Sequence, residues 1–426
     1  MKILLIACHF PPFNSIASLR AGKMAKYLHR FGHDIRVLTL NEYSLSANLS
    51  IEIPKENVIY TSWLDINFPV KRLSHLLKFS NKNLSATPNG LSAYSPSLLK
   101  KAWFFYRDCL NFPDLYVGWY PFGAYAGIQL SRQWKPDIIY ASAPQYTALL
   151  IASRLSNYIK VPWIAEFRDL WMDNPYIHRP LWREKIESLV EKKILLSSSG
   201  VITVSQPLTK VITNKFSLPT HTITNGFDAE DFMNLHLDKR PSRKLNIVYT
   251  GKIYDGYRDP LPLIQAISKI QSLSSNIQVD FYGTYSHNLE NFITEYNLTH
   301  VVTIHPMVTY KESLKLQLEA DILLLLTWNS PSEKGVYTGK LFEYIGARRP
   351  ILAIGSMDNV AADLIRERKV GVVENDPDKL ANILKEWIAI KQSGQDIPST
   401  PMEALQGLSR EDQAKQLVEF FKECLR

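Results

Sequence analysis

The 426 residues carry 49 Lys+Arg against 41 Asp+Glu, a formal net charge of +8, with 46% hydrophobic and 21% charged. At roughly 150 residues per domain this is chain for two or three domains with real cores, which excludes disordered, collagen-like and small stapled classes. The longest apolar runs, such as Ile322–Leu326, fall far short of the roughly 20 residues that cross a bilayer, so a soluble chain is expected. The opening Met1-Lys2-Ile3-Leu4-Leu5-Ile6 also lacks the length and small-residue exit of a cleavable signal. Cys8, Cys109 and Cys424 are too few and scattered for a disulfide framework or a zinc site, and read as free thiols in a reducing cytoplasm.

The charge divides unevenly. Residues 1–200 hold 24 Lys+Arg and 14 Asp+Glu, a net of +10, while residues 201–426 hold 25 and 27, a net of −2. A basic first half suits phosphate, anionic lipid or nucleic acid.

Residues 2–6 form a short, fully apolar strand, expected in a parallel sheet buried on both faces. After Pro11-Pro12, the apolar spacing of Ala21, Met24, Ala25, Leu28 and Phe31 predicts a helix from Ser18, with Gly32 as its stop. Ile35–Leu40 is the next buried strand, completing a right-handed βαβ unit. Arg20, Lys23, Lys26 and Arg30 occupy one side of that helix and read either as a solvated face or as a membrane-surface contact. Residues 80–98, rich in Ser, Asn and Pro, read as a long loop. The aromatic and cationic cluster Lys100–Arg107 fits the membrane reading weakly.

The second half restarts the pattern. Leu245–Tyr249 is a strand, Leu261–Leu273 a helix and Val279–Tyr282 a strand ending at Gly283. Val302–Ile304, Ile322–Leu326 and Ile351–Ile354 follow as further strands. Two doubly wound α/β domains in tandem are expected: an N-terminal domain over 1–225, a polar linker over 226–243, a C-terminal domain over 244–407 and a terminal helix within 408–426. Ser409 is placed to cap that helix, with Glu411 and Asp412 in its first turn.

Three places could carry chemistry. In Gly335-Val336-Tyr337-Thr338-Gly339-Lys340-Leu341-Phe342-Glu343, a glycine-bearing turn feeds a helix whose N–H groups make a phosphate cradle. There Glu343 could accept from the vicinal hydroxyls of a ribose. The same residues equally read as a turn with a dipole-favouring carboxylate. Thr250-Gly251-Lys252 and Arg258 sit at the carboxyl end of the second half's first strand, where Lys252 and Arg258 could flank a diphosphate or be ordinary surface cations.

In the first half a strand ends at Glu166, Arg168 and Asp169. They could hold an acceptor hydroxyl and steady a leaving phosphate, or form an Arg168–Asp169 salt bridge. His9, after the first strand, is a ligand-side group or a loop residue. Asp376-Pro377-Asp378 spells a metal-binding Asp-x-Asp but precedes a helix, so capping explains it. No other metal-ligand spacing is present.

Taken in order, HFPPFNSIASLR, GHDIRVLTL, PWIAEFRDLWMDNPY, GVITVSQPL, ITNGFDAEDF, IVYTGKIYDGYRDP, ADILLLLTW and GVYTGKLFEYIGARRPILAIG resemble the GT-B glycosyltransferases of family 4. The resemblance is to the retaining nucleotide-sugar enzymes of bacterial surface-polysaccharide type, including lipopolysaccharide and capsule enzymes, and runs nearly the whole chain. It implies two Rossmann-like domains facing a cleft, the donor on the second domain, the acceptor on the first, and a final helix crossing back.

It further implies a metal-independent hexosyltransferase using a nucleotide diphosphate sugar, UDP-sugar first, and a glycan or polyprenyl-linked acceptor. The setting would be cytoplasmic, peripheral on the inner membrane's cytoplasmic face. Donor residues would be Gly251, Lys252, Arg258, Glu343 and the N–H groups of Thr338, Gly339, Lys340 and Leu341. Glu166, Arg168 and Asp169 are the catalytic candidates, with His9, Ser18 and Arg20 on the acceptor side. Gly335 stands where such enzymes often carry the first of two glutamates, and Arg168 where several carry a histidine. A sugar-nucleotide epimerase on the same scaffold and a non-catalytic partner subunit are the competing readings, and a nucleic-acid binder is disfavoured.

Overall fold

The computed structural model describes residues 1–42, 46–68, 106, 108–174, 176–177, 179–233, 235–237, 242–283 and 285–426. The expected loop over 80–98 and the cluster at 100–107, apart from Tyr106, lie outside them. The chain divides into two compact units: residues 1–202, 216–219 and 424–426 in the first, and 203–215 and 220–423 in the second.

The first sheet is built from β1 (Lys2–Ala7), β2 (Asp34–Leu40), β3 (Val58–Thr61), β4 (Ile138–Ala143), β5 (Trp163–Phe167), β6 (Gly200–Thr203) and β7 (Thr220–Thr222), in the order β3-β2-β1-β4-β5-β6-β7. Its central strand pairs in parallel on both sides, Ile3 opposite Ile35 and Ile138. Between the strands run α1 (Ile16–Arg30), α2 (Tyr120–Gln133), α3 (Thr147–Ile159), α4 (Leu181–Leu195) and α5 (Gln206–Phe216). Unbroken apolar strands are what a sheet covered on both faces requires, and β1, β4 and β5 are buried along nearly their whole length.

The second sheet comprises β8 (Leu245–Thr250), β9 (Ile277–Tyr282), β10 (Val302–His305), β11 (Ile322–Leu326), β12 (Ile351–Ile354) and β13 (Gly371–Val373), in the order β10-β9-β8-β11-β12-β13. After the single turn Glu230–Met233, its helices are α6 (Leu261–Ser268), α7 (His287–Glu295), α8 (Tyr310–Glu319), α9 (Gly339–Gly346), α10 (Val360–Arg368), α11 (Pro377–Gln392) and α12 (Arg410–Leu425). Each sheet thus repeats one doubly wound Rossmann-like plan, and two apolar clusters flank the second. Among the described residues no helix is long and apolar enough to cross a membrane.

Local chemistry sets the helix ends. Asp376 accepts from the N–H groups of Asp378 and Lys379 at 2.8 and 3.1 Å, so the Asp-x-Asp is a cap. Ser409 caps α12 through the N–H of Asp412 at 3.1 Å. The helix expected over 261–273 is shorter: the Ser268 hydroxyl turns back to the Gln265 carbonyl at 2.8 Å, and a 3-10 segment, Gln271–Asn276, follows. The stretch expected to link the domains falls inside the second unit. Phe227 bridges there to the α12 N-terminus, its N–H on the Leu408 carbonyl at 3.2 Å and its carbonyl receiving the Arg410 N–H at 2.8 Å. Only the last three residues of the chain group with the first unit.

The cations of α1 correct both sequence readings of that helix. Arg20, Lys23 and Lys26 are buried, so these three form neither a solvated face nor a membrane contact, and only Arg30 of the four is exposed. Lys23 and Lys26 share the two oxygens of Glu52 at 2.6 and 2.8 Å, and Arg20 holds Glu166 on β5 at 2.7 Å, both side chains 1% exposed. A buried charge must be paired, and these pairings fix the rotation of α1 on the sheet. Replacing Glu166 with alanine strands Arg20. The expected loss is about 3–5 kcal/mol, read as a lower denaturation midpoint than Arg20→Met/Glu166→Met, which removes both charges.

Candidate functional site

Both sheets reverse strand order beside their first strand, between β1 and β4 and between β8 and β11. In open α/β sheets ligands bind outside the carboxyl strand ends at that reversal. Most of the expected site residues lie at these two places, one in each unit.

In the second unit, β8 ends at Thr250 and the chain turns through Gly251, whose φ is +134°. A Cβ at Gly251 would stand 2.1 Å from Cε and 2.4 Å from Nζ of Lys340, and one at Gly283 would stand 2.1 Å from the Gly251 carbonyl oxygen. Glycine at 251 therefore lets the Lys340 side chain lie flat over the strand end.

Below it is Tyr249, buried on β8. Its hydroxyl donates to the Lys252 carbonyl at 2.8 Å and accepts from Lys340 Nζ at 3.1 Å and from Arg258. Lys252 and Arg258 then flank the Tyr254 ring, 4.9 and 5.0 Å from its centre, while Lys340 Nζ lies 4.6 Å from the Tyr249 ring centre. Three cations converge here, and among the described residues none is paired with a carboxylate. Burial, with a smaller push from Arg258, pulls the Lys340 ammonium down to about 7 against the opposing pull of Glu343.

Helix α9 opens onto the same strand end. Thr338 is its N-terminal flanking residue, yet its buried hydroxyl makes no capping bond and has no partner among the described residues. The Leu341 N–H bonds the Thr338 carbonyl at 3.2 Å, and the Leu341 side chain is core. Leu341 is thereby removed from the expected anion cradle, which leaves the N–H groups of Thr338, Gly339 and Lys340, free of intrahelical partners by position.

Glu343, one turn into α9, accepts from Gln317 Nε2 at 3.3 Å, and Gln317 also donates to the Thr250 hydroxyl at 3.1 Å. Burial raises the Glu343 carboxyl, opposed by Gln317, Lys340 and Arg410. At the end of β11, Trp328 meets Tyr257 edge-on at 4.5 Å. The carbonyl of Gly335 receives the Ser205 hydroxyl at 2.6 Å, and a Cβ there would press on Pro207 at 3.2 Å.

In the first unit, the expected residues separate into two groups. Glu166, Arg20 and Ser18 are buried, Arg20 and Glu166 paired with each other. Burial pushes the Glu166 carboxyl up, but Arg20, with hydrogen bonds from Arg20, Ser142 and Tyr140, outweighs this and holds it at about 2. A carboxylate so bound is a poor proton carrier. Ser18 sits in the α1 cap, its N–H on the Ser15 hydroxyl at 3.0 Å.

Arg168, Asp169 and His9 remain at the strand ends. Arg168 donates to the Ala143 and Pro144 carbonyls at 3.0 and 2.7 Å, supporting the turn after β4 instead of closing a salt bridge with its neighbour. Burial raises the Asp169 carboxyl, with Arg168 opposing. His9 Nδ1 is buried without a hydrogen-bond partner among the described residues, and its ring meets Tyr116 edge-on at 5.1 Å. Burial holds its imidazole down at about 4, Glu42 pulling the other way. Tyr249, Gln317 and Glu42 were not expected from sequence; a polar atom inside or just after an apolar strand was the available signal for the first and third.

Gly251→Ala is expected to drive Lys340 off Tyr249 and to strain the backbone, costing about 1–3 kcal/mol. Calorimetric unfolding would show a lower midpoint for the variant, while Gly256→Ala, whose added Cβ meets open space, would suffer only the backbone strain of its φ of +79°.

No protein-family model matches the chain and no curated protein does. Solved structures do. A glycosyltransferase from Rickettsia africae ESF-5 superposes with a TM-score of 0.62 at 15% identity, covering 100% of this chain and 98% of that one. Anabaena Alr3699/HepE in complex with UDP gives 0.62 at 16% identity, covering 99% and 100%. Sucrose-phosphate synthase from Thermosynechococcus elongatus gives 0.62 at 15%, covering 99% and 98%. At such identities the likeness establishes architecture: the chain has the GT-B fold, two Rossmann-like domains in tandem.

Proposed function

We propose that the chain is a nucleotide-sugar glycosyltransferase whose donor is held by the second unit. The observation that carries this is the meeting of Arg258 and Lys340 at the Tyr249 hydroxyl beside the α9 N-terminus, with Lys252 and Arg258 flanking the Tyr254 ring. Cations unpaired with carboxylates next to unsatisfied helix N–H groups form a site for a multiply charged anion. Glu343, with two acceptor oxygens, suits the paired hydroxyls of a ribose attached to that anion. The fold is shared with Anabaena HepE, solved with UDP, and UDP-sugar is the first donor to test.

In transfer, the glycosidic bond to the diphosphate breaks and negative charge grows on the leaving phosphate. Fixed cations and N–H groups stabilise that charge more than they stabilise the bound donor, so they act on turnover. With this charge supplied by side chains, the reaction needs no metal. Asp169, its carboxyl raised by burial, is the first unit's best group to receive the acceptor hydroxyl's proton, and neutral His9 orients the acceptor. We assign transfer with retention, a glycan or lipid-linked acceptor, and a place in bacterial cell-surface polysaccharide synthesis in the cytoplasm.

Titration calorimetry against UDP, GDP, ADP, dTDP and CMP, without metal, tests the donor site. One nucleoside diphosphate should bind, at least about tenfold more weakly in Lys252→Ala, and Glu343→Ala and Lys252→Ala should abolish transfer with the fold intact. Binding of none of the five would sink the assignment.

The state of Lys340 gives a second test. Its ammonium is lowered to about 7 by burial, and a diphosphate favours the charged form. Above that pH binding must take up a proton, so affinity should fall by up to about tenfold per pH unit between pH 7 and 9. Below pH 7 the group is already charged and this dependence vanishes. Calorimetry in buffers of different ionisation enthalpy should detect the uptake, and Lys340→Met should remove it.

A further inference from the structure

Helix α4 is built inside out. Its inward face is charged: Glu187 and Glu191 are fully buried and Arg183 nearly so. Glu187 receives Arg179 at 2.6 Å, the Trp171 indole N–H at 3.0 Å and the Arg183 guanidinium. Arg183 reaches on to the Asn111 and Pro113 carbonyls at 2.7 and 3.1 Å, and Glu191 accepts the Met172 N–H at 3.2 Å. This satisfied polar network fixes the rotation of the helix about its own axis.

Its outward face is correspondingly apolar. Leu181 is 78% exposed, Ile186 47%, Leu189 70% and Leu196, just past the C-terminus, 53%. At about 100° per residue these four fall within one arc of about 140°, and Lys185, Lys192 and Lys193 fall in the same arc. All three lysines are exposed. No carboxylate shares the arc, since Glu184, Glu187 and Glu191 lie on the other side. A helix that buries two of its three acids and offers leucine and lysine to solvent is the reverse of the usual arrangement.

We propose that this face of α4 is a docking surface for an anionic lipid bilayer. Over about 22 Å it offers leucines and an isoleucine to enter the headgroup region, with lysines whose stems lie along the apolar surface and whose ammonium groups reach lipid phosphates. The charge pattern selects this occupant: a protein partner's apolar groove does not call for three cations on the arc, whereas an anionic headgroup layer does. The surface differs from α1, whose cations are spent internally, and it stands independently of the proposed reaction.

The test is cosedimentation of the full chain with vesicles of phosphatidylcholine alone or mixed with phosphatidylglycerol. Binding to the mixed vesicles only, weakened by salt, is expected. Leu189→Gln should lower the partition about tenfold. Replacing Lys185, Lys192 and Lys193 with glutamine should lower it on the order of a hundredfold. All these positions are exposed, and unchanged circular dichroism confirms folded variants. Failure of the wild-type chain to sediment would overturn the proposal, as would equal binding to neutral vesicles. Lipid-free self-association abolished by Leu189→Gln would overturn it in favour of a second copy as occupant.

Discussion

One phenolic hydroxyl organises the second unit's strand end. Tyr249 is buried on β8, yet its hydroxyl receives Lys340 and Arg258 and binds the carbonyl of Lys252. Without that acceptor, Lys340 would face a half-buried site with no partner, at a cost of the order of 1–3 kcal/mol. The loop bearing Lys252 would also lose its tie to the strand. Gly251 is glycine because Lys340 must pass over it to reach this hydroxyl. Arg258 and Lys340, from two separated segments, are thus held together by a neutral oxygen that also ties down the Lys252 backbone, which leaves the charge of all three available to a ligand. A carboxylate in the same place would have consumed it.

The first unit uses charge in the opposite sense. Arg20 with Glu166, and Lys23 and Lys26 with Glu52, are closed pairings that consume charge to set the orientation of α1. The Arg183–Glu187 network does the same for α4. Such pairings contribute little net stability over apolar packing but are costly to break singly.

The strands were legible because buried parallel strands are unbroken apolar runs bounded by Gly and Pro. The caps at Asp376 and Ser409 were legible because capping is local. The donor-side segments at 251–258 and 338–343 were legible because topology puts strand ends and helix starts where ligands bind. What escaped was every long-range pairing. Arg20 and Glu166 are 146 positions apart, so a stripe of cations on a helix looks solvated until its partners are found. Tyr249 reads as one more apolar residue in a strand, and Lys340 drew notice for its backbone, whereas its side chain is the more informative part. The outward face of α4 was hidden for the same reason: only the buried salt bridges reveal which way the helix is turned.

The central position of the first strand in each sheet also bears on how the chain leaves the ribosome. β1 can pair with β2 as soon as residue 40 emerges, but its other edge waits for β4, with Ile3 opposite Ile138. At about 5–20 residues per second, that edge stands open for roughly 5–20 seconds. In the second unit β8 waits a shorter interval for β11, Ile247 opposite Ile322. Each half therefore passes through a stage in which its central strand has one unpaired side, the state in which sheets recruit foreign strands. During synthesis the first half, with its longer wait, is the more exposed to that hazard, and the more dependent on chaperones that cover such edges.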